Sequence, residues 1–506
     1  MEQTKQIGVV LFAGTSFLCW FVTFERRRRD NRFVHQTEKA TVAVGSVEQT
    51  DKEAPKGKLL SGHSVGEIYL HELETLRGRH RSADLDVCKI FNFQEILGVD
   101  DYILADISRL SSKQSAPSNA YVRAGPRRVT HFDPSQVRAA IVTCGGLCPG
   151  LNNVIRELVH ALVKLYKVTE ITGITGGYVG FSGKPGYEPV KLDIEAVKDC
   201  HHQGGTILGS GRGGLEPGDP KSVQAALDFL TRRGINQLYI IGGDGTHRGA
   251  NQLAAACKER GLNIAVVGIP KTIDNDVGLI DRSFGFNTSV EAAQLAIKSA
   301  KTEAIGNKPN GISIVKLMGR TAGFIAAHAT LASGDVDLCL LPEHQAELYG
   351  ENGCLPFLVS RVKAKGHAVV VMAEGWGERV MDKSDAVDAG GNRILPDVGP
   401  FMKKLVTDYF KKQGMEATVK FIEPSYMIRS IPPNSWDAIY CMMLAQNAVH
   451  GAMSGFTAFS VGLVNNRIVY IPIERIVATS PHLMDAKGRT WERILAMTLQ
   501  PDQCKA

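Results

Sequence analysis

One carboxylate set among glycines, and two more set close together, are the first features of this 506-residue chain with chemistry to offer. The run Ile241-Gly-Gly-Asp-Gly-Thr-His-Arg-Gly249 surrounds Asp244 with Gly242, Gly243, Gly245, Gly249 and the hydroxyl of Thr246. Glycine lets backbone come close to a ligand. A carboxylate inside such a phosphate-shaped loop has one physical use, to hold a divalent cation that bridges to phosphate oxygens. The segment is not a Walker loop, since no Gly-Lys-Ser/Thr follows, and its spacing does not fit a dinucleotide fingerprint. Downstream, Pro270-Lys-Thr-Ile-Asp-Asn-Asp276 sets Asp274 two residues from Asp276, on one face if the chain is extended. Carboxylates so close are costly unless a cation or a substrate hydroxyl uses them. One would accept a hydroxyl proton while the other helps hold metal and phosphate. Lys271 and Thr272 add a cation and a hydroxyl donor.

Other segments read as supporting parts. Thr143-Cys-Gly-Gly-Leu-Cys-Pro-Gly-Leu-Asn152 stands between a strand pattern and a helix pattern. Gly145 and Gly146 permit close backbone approach, and the helix start offers free N–H groups and a positive dipole end to an anion. A tight turn shaped by glycine is the other use of the same residues. Ile207-Leu-Gly-Ser-Gly-Arg212, Lys316-Leu-Met-Gly-Arg320, Glu374 and Pro424-Ser-Tyr-Met-Ile-Arg429 each bring an arginine or a carboxylate to a strand end or turn. Phosphate or sugar could be recognised there. Singly, such arginines are as often solvated ion-pair partners; their weight comes from company.

These residues need a scaffold that delivers them to one place. From about Val137 onward, short apolar runs alternate with helical patterns. Ala139–Thr143 reads as a buried strand, and apolar residues at 154, 155, 158, 159, 162 and 165 mark one face of a helix over 153–166. Leu238–Ile241 precedes a helix near 248–260, and Ile264–Gly268 precedes one near 289–303. Gly311–Leu317, Val336–Leu341 and Ala368–Ala373 read as further strands. Such alternation predicts an α/β fold with parallel sheets covered on both faces. The expectation is two doubly wound, mainly parallel-sheet domains facing a cleft, plus an N-terminal extension. Ligands of such sheets sit beyond the carboxyl ends of the strands.

Composition narrows the function classes. Hydrophobic residues at 44% and charged residues at 22% are globular values, excluding wholesale disorder and a coiled coil. Of the net charge of +6, half lies in the first forty residues, where Lys5, Arg26–Arg29, Arg32 and Lys39 outnumber the acids. The nearly neutral body offers no footprint for nucleic acid. Ile7–Phe24 is free of charge and is followed by the four arginines. It reads as a signal-anchor, an organelle-targeting presequence or an untargeted hydrophobic arm, with the catalytic body cytoplasmic and membrane contact confined to residues 7–24. Residues 36–60 read as linker. The ten cysteines include no Cys-x-x-Cys pair and read as buried thiols rather than a zinc site.

Taken together, the chain from about Val137 to past Pro472 resembles the ATP-dependent 6-phosphofructokinase family. The order Gly-Gly-Asp-Gly-Thr, Pro-Lys-Thr-Ile-Asp-Asn-Asp, Met-Gly-Arg, Tyr-Met-Ile-Arg is jointly specific, and it is most similar to the plant and trypanosomatid subgroup. The resemblance implies transfer of the γ-phosphoryl group of ATP, with Mg2+, to the 1-hydroxyl of fructose 6-phosphate, the committed step of glycolysis. It implies a homo-oligomer, usually a tetramer. By that resemblance Asp274 is the catalytic base and Asp244 the magnesium-linked aspartate. Gly146, Arg212, Gly213, the 242–246 loop and Gly249 would bind ATP. Thr272, Ile273, Asp274, Asp276, Met318, Gly319, Arg320, Glu374, Tyr426, Met427, Ile428 and Arg429 would hold the sugar phosphate. Lys420 matches a basic position that reaches the sugar phosphate from a neighbouring subunit in bacterial members.

The resemblance also implies a domain plan. Residues 1–60 would be targeting segment and linker, and 61–136 an extension packing on the body. The ATP-binding domain would take 137–286 plus about 426–464, and the sugar-phosphate domain 287–425 plus about 465–506. Two positions bear on the donor. Gly245 leaves room for the nucleotide's α-phosphate where pyrophosphate-using relatives carry Asp, whereas Lys271 is a residue those relatives keep. Their combination is the plant-like one and implies ATP. Gly311 falls where bacterial members carry a cross-subunit arginine. The rival readings are a pyrophosphate-dependent phosphofructokinase, a lipid or NAD kinase sharing the Gly-Gly-Asp-Gly-Thr loop, and a catalytically inactive scaffold.

Overall fold

Two sheets organise the chain, the smaller wholly parallel and the larger parallel at its centre with antiparallel strands toward its edges, seen here in a computed structural model. It describes residues 58–60 and 68–502, apart from 88–92, 94, 99, 107–117, 216–218, 346, 383–384 and 388–393. The segment 7–24 and most of the expected linker lie outside the described residues. Among the described residues no helix is long and apolar enough to cross a membrane.

In the larger sheet, the apolar runs become strands Arg138–Thr143, Gln237–Gly242 and Ala265–Pro270, buried almost throughout. Continuous apolar strands of this kind need cover on both faces, and alternate residues find it. Ala139 and Ile141 pack against helices Leu151–His160 and Ser435–Met453. Ala140 and Val142 pack against helices Pro220–Arg232 and Asp244–Glu259. The three strands pair in parallel, with Glu170–Ile174 beyond 138–143 and Phe459–Val464 beyond 265–270. After 138–143 the chain adds 170–174 on one side and 237–242 on the other, so strand order reverses there. Ligands of open α/β sheets bind at such a switch point.

The smaller sheet runs Leu338–Leu340, His367–Ala373, Gly311–Leu317, Thr418–Ile422, all parallel. Its first strand, 311–317, acquires neighbours on one side and then 418–422 on the other, giving a second switch point. Helices Phe286–Gly306 and Phe324–Ser333 cover one face, and Cys354–Lys365 and Val398–Lys412 the other.

The two-sheet α/β expectation is met, with differences in detail. Strands Ile68–His71 and Ser118–Arg123 do not merely pack on the body. They are hydrogen-bonded members of the larger sheet, and Lys58–Leu60, expected as linker, pairs with 68–71. The expected domain boundary at 464/465 falls inside a hairpin. Asn465 and Asn466 both adopt positive φ (48° and 59°), the tight turn that suits a two-residue hairpin. Strand Arg467–Pro472 therefore stays beside 459–464 in the larger sheet. The chain rejoins the smaller sheet's side at Met484 and helix Arg489–Thr498, whose Trp491 and Ile494 sit in the same core as Met484. Helix 435–453 packs on the larger sheet, but Ile428 belongs to the smaller sheet's core, so the crossing lies nearer 434 than 426.

Candidate active site

On the larger-sheet side, the glycine-ringed acid is not in a loop ahead of a helix. The helix expected near 248 begins at Asp244, with Gly243 as its N-cap. The backbone N–H groups of the Gly-Asp-Gly-Thr segment are thus the positive end of a 16-residue helix. Arg248, one turn on, pairs with Asp244 Oδ2, and Asp244 Oδ1 is buried with no hydrogen-bond partner. Burial raises the Asp244 pKa, the Arg248 charge opposes that, and Asp276 adds to it. Beside this helix start, Lys271 follows strand 265–270. Its backbone N–H donates to Gly242 O at 2.9 Å, and its Nζ donates to Gly146 O at 2.8 Å. The lysine ties the two phosphate-shaped turns together, and its burial lowers its pKa.

The paired aspartates are held by a turn, not an extended segment. Asn275 sits at φ +59°, a conformation asparagine tolerates, and its Oδ1 accepts from the Ser283 N–H at 2.8 Å. Asp276 Oδ1 accepts from Thr272 Oγ1 at 2.7 Å, whereas Asp274 Oδ1 is buried with no partner. The two acids therefore differ in their bonding, yet stay close enough for the Asp276 charge to act on Asp274. The Asp274 pKa is pushed up to about 8, first by burial and then by the charges of Asp276 and Glu374. A hydrogen bond from the Arg320 backbone and the charge of Lys271 pull the other way. A carboxyl so tuned is a strong base once ionised.

The smaller sheet faces the same space with its own strand ends. Met318, Gly319 and Arg320 follow 311–317, Glu374 follows 367–373, and Glu423 follows 418–422. The Gly375 N–H donates to Gly319 O at 3.0 Å, stitching two of these ends together. Burial raises the Glu374 pKa, countered by Arg320 and Lys316, and Lys316 bonds Glu423 at 3.0 Å. Ser425–Arg429 forms a short helix in which the Arg429 guanidinium lies 4.9 Å from the centre of the Tyr426 ring.

These ends enclose a cleft of about 610 Å³. Gly146, Arg212, Gly213, Gly243, Asp244, Gly245, Thr246, Lys271, Thr272, Ile273, Asp274, Asp276, Met318, Arg320, Glu374, Tyr426 and Arg429 all line it. Six expected residues do not. Gly242 lies behind, where a Cβ would strike Thr246 at 2.4 Å, and Gly249 lets the helix sit on Tyr178. Gly319 serves through its backbone at φ +133°. Ile428 is buried in the smaller sheet's core, because only one face of its helix can turn to the cleft, and Met427 points to solvent. Lys420 is exposed on an edge strand. Arg248, Thr321, Glu423, Ser425 and Tyr178 line the cleft without having been singled out. Of these, Arg248 had a legible signal, its four-residue spacing from Asp244 on a helix.

The described cysteines at 144, 148, 200, 257, 339, 354 and 441 are buried free thiols. Burial pushes those of Cys144 and Cys148 up to about 12. No cluster of three or more His, Cys, Asp or Glu able to hold a metal occurs among the described residues. At Gly311 a Cβ would lie 2.0 Å from Ala304 O, so no side chain fits there.

Residues 138–452 match the phosphofructokinase family profile. The chain belongs to the phosphofructokinase family. ATP-dependent 6-phosphofructokinase 7 of Arabidopsis thaliana is 50% identical over 382 residues, covering 75% of this chain and 76% of its own. ATP-dependent 6-phosphofructokinase 2 of the same plant is 44% identical over 447 residues, covering 87% and 98%. The expected likeness to plant phosphofructokinases therefore holds. The crystal structure of Pichia pastoris phosphofructokinase in the T-state shares the fold, with a TM-score of 0.55 at 22% identity. That match covers 78% of this chain but only 39% of the Pichia chain.

Proposed function

We propose that this phosphofructokinase transfers the γ-phosphoryl group of ATP to the 1-hydroxyl of fructose 6-phosphate, giving fructose 1,6-bisphosphate and ADP. The observation that carries this reading is the meeting of two switch points on one cleft. One brings Asp244 at a helix N-terminus, the other brings arginines and Glu374, and Asp274 lies among them. The donor set fits magnesium. Asp244 offers one buried oxygen without a partner, and magnesium is held by one or two carboxylates with substrate phosphates and water supplying the rest. When bound, the ion would neutralise charge on the transferred group.

The chain's own residues do the rest. The amides at the start of helix 244–259, with Arg212 and Lys271, favour the donor's phosphates. Arg320, Arg429 and Tyr426 suit a sugar phosphate, with Glu374 a partner for sugar hydroxyls. Asp274 takes the proton of the attacking hydroxyl, a role worth about 10²–10⁴-fold in rate. Gly245 supports ATP over pyrophosphate, since a Cβ there would meet nothing within 4 Å and the space is open for a nucleotide. Lys420, exposed on an edge strand outside its own cleft, suits a homo-tetramer in which it serves a neighbour. The reading keeps the catalytic body cytoplasmic.

The test is a donor comparison with the purified chain and fructose 6-phosphate. ATP should give equal amounts of ADP and fructose 1,6-bisphosphate, and pyrophosphate should give none. Faster turnover with pyrophosphate would move the chain to the rival class.

A further inference from the structure

Arg248 stands on the donor side of the cleft with no part in the reading above. It lies one turn beyond Asp244 on the same helix and lines the cleft with 47% of its side chain exposed. One nitrogen, Nη2, pairs with Asp244 Oδ2. The partner carboxylate keeps its other oxygen buried and without a hydrogen bond. A guanidinium has five N–H donors in a fixed fork that matches phosphate geometry, so Asp244 uses only part of its capacity. Lys271, by contrast, is buried and engaged with Gly146 O. The space over Gly245, between Asp244 and Thr246, is open.

A metal ion and a guanidinium compete for one carboxylate. Exposed pairs four residues apart on a helix are weak, so a divalent cation displaces the arginine at little cost. The freed guanidinium remains tethered one helical turn away, within side-chain reach of phosphates brought by that cation. We infer that Arg248 is a donor-phosphate ligand held in reserve on Asp244. It neutralises the carboxylate while the cleft holds no nucleotide, and pairs with the terminal phosphate oxygens once a magnesium–nucleotide complex engages Asp244. This rests on the reading of the cleft as a magnesium–ATP site.

The experiment is calorimetric titration of magnesium–ATP, without sugar phosphate, into the full-length wild type, Arg248→Met and Arg248→Lys, with fructose 6-phosphate titrated separately. A charge-assisted phosphate contact predicts that Arg248→Met binds magnesium–ATP roughly 10–100-fold more weakly. Arg248→Lys should recover most of the loss, and fructose 6-phosphate affinity should stay unchanged in both. Thermal melts of each variant identify any loss of fold, in which case Arg248→Lys alone carries the comparison and must bind within a fewfold of wild type. Magnesium–ATP affinity in Arg248→Met equal to or tighter than wild type overturns the inference, since Arg248 would then only compete for Asp244. Failure of the wild type to bind magnesium–ATP would instead overturn the reading of the cleft.

Discussion

Gly245→Asp separates the fold from the donor site. Gly245 is the second residue of helix 244–259, its backbone is not in the left-handed region, and a Cβ there would meet nothing within 4 Å. Aspartate can therefore be accommodated without a clash. An acid in a first helical turn is favourable by about 0.3–1 kcal/mol, so thermal stability should be unchanged or slightly raised. The same carboxylate enters the space assigned to the nucleotide's phosphates. Two like unit charges about 4 Å apart repel by about 4 kcal/mol at an effective dielectric near 20, roughly a thousandfold in affinity. Partial neutralisation by the metal softens this, so we expect the KM for magnesium–ATP to rise roughly 10²–10³-fold, with the KM for fructose 6-phosphate little changed. Steady-state kinetics with a coupled assay, alongside a thermal melt, reads both halves. A magnesium–ATP KM within threefold of wild type in a folded variant would show that the phosphates do not lie over Gly245.

Three further outcomes follow from the cleft. With the Asp274 carboxyl held up to about 8, kcat/KM should rise with pH through that region and fall about tenfold per unit below it; a flat profile between pH 6 and 9 contradicts the base assignment. The folded state binds this proton more tightly than the unfolded chain, so ionising Asp274 costs stability. That cost is absent below about pH 4 and full above about pH 8, and Asp274→Asn should melt higher than wild type at pH 8.5 with the gap closing toward pH 4. At Gly375 a Cβ would lie 1.8 Å from Arg320 O. Gly375→Ala should therefore cost about 1–3 kcal/mol by overpacking and raise the fructose 6-phosphate KM at least tenfold through displaced Arg320, while an unchanged KM would detach that strand-end stitch from substrate binding.

Much of the fold was legible because buried parallel strands are written as unbroken apolar runs, and Gly311–Leu317 was read with its observed ends. The site was legible where chemistry forces unusual residues together, as with Asp244 among glycines. What escaped depends on local dihedral choice and on which face a short element turns. The Asn465–Asn466 turn keeps strand 467–472 in the larger sheet through two positive φ angles, which a domain boundary drawn from resemblance does not see. Asp274 and Asp276 are set by a turn in which Asn275 adopts φ +59°, and they differ in their hydrogen bonding, neither of which a two-residue spacing discloses. In Ser425–Arg429 a single helical turn sends Tyr426 and Arg429 to the cleft and Ile428 to the core, although the motif reads as one contiguous unit. Arg248 was missed because the helix was expected to start near 248, which left Asp244 in a loop ahead of it and hid their spacing of one helical turn.

The most direct trial of the account is Asp274→Ser, with turnover and ligand binding measured on the same preparation. Removal of the proton acceptor should lower kcat by about 10²–10⁴-fold, while magnesium–ATP and fructose 6-phosphate still bind within a fewfold of wild type. Turnover close to wild type would contradict the claim that this buried carboxylate takes the hydroxyl proton.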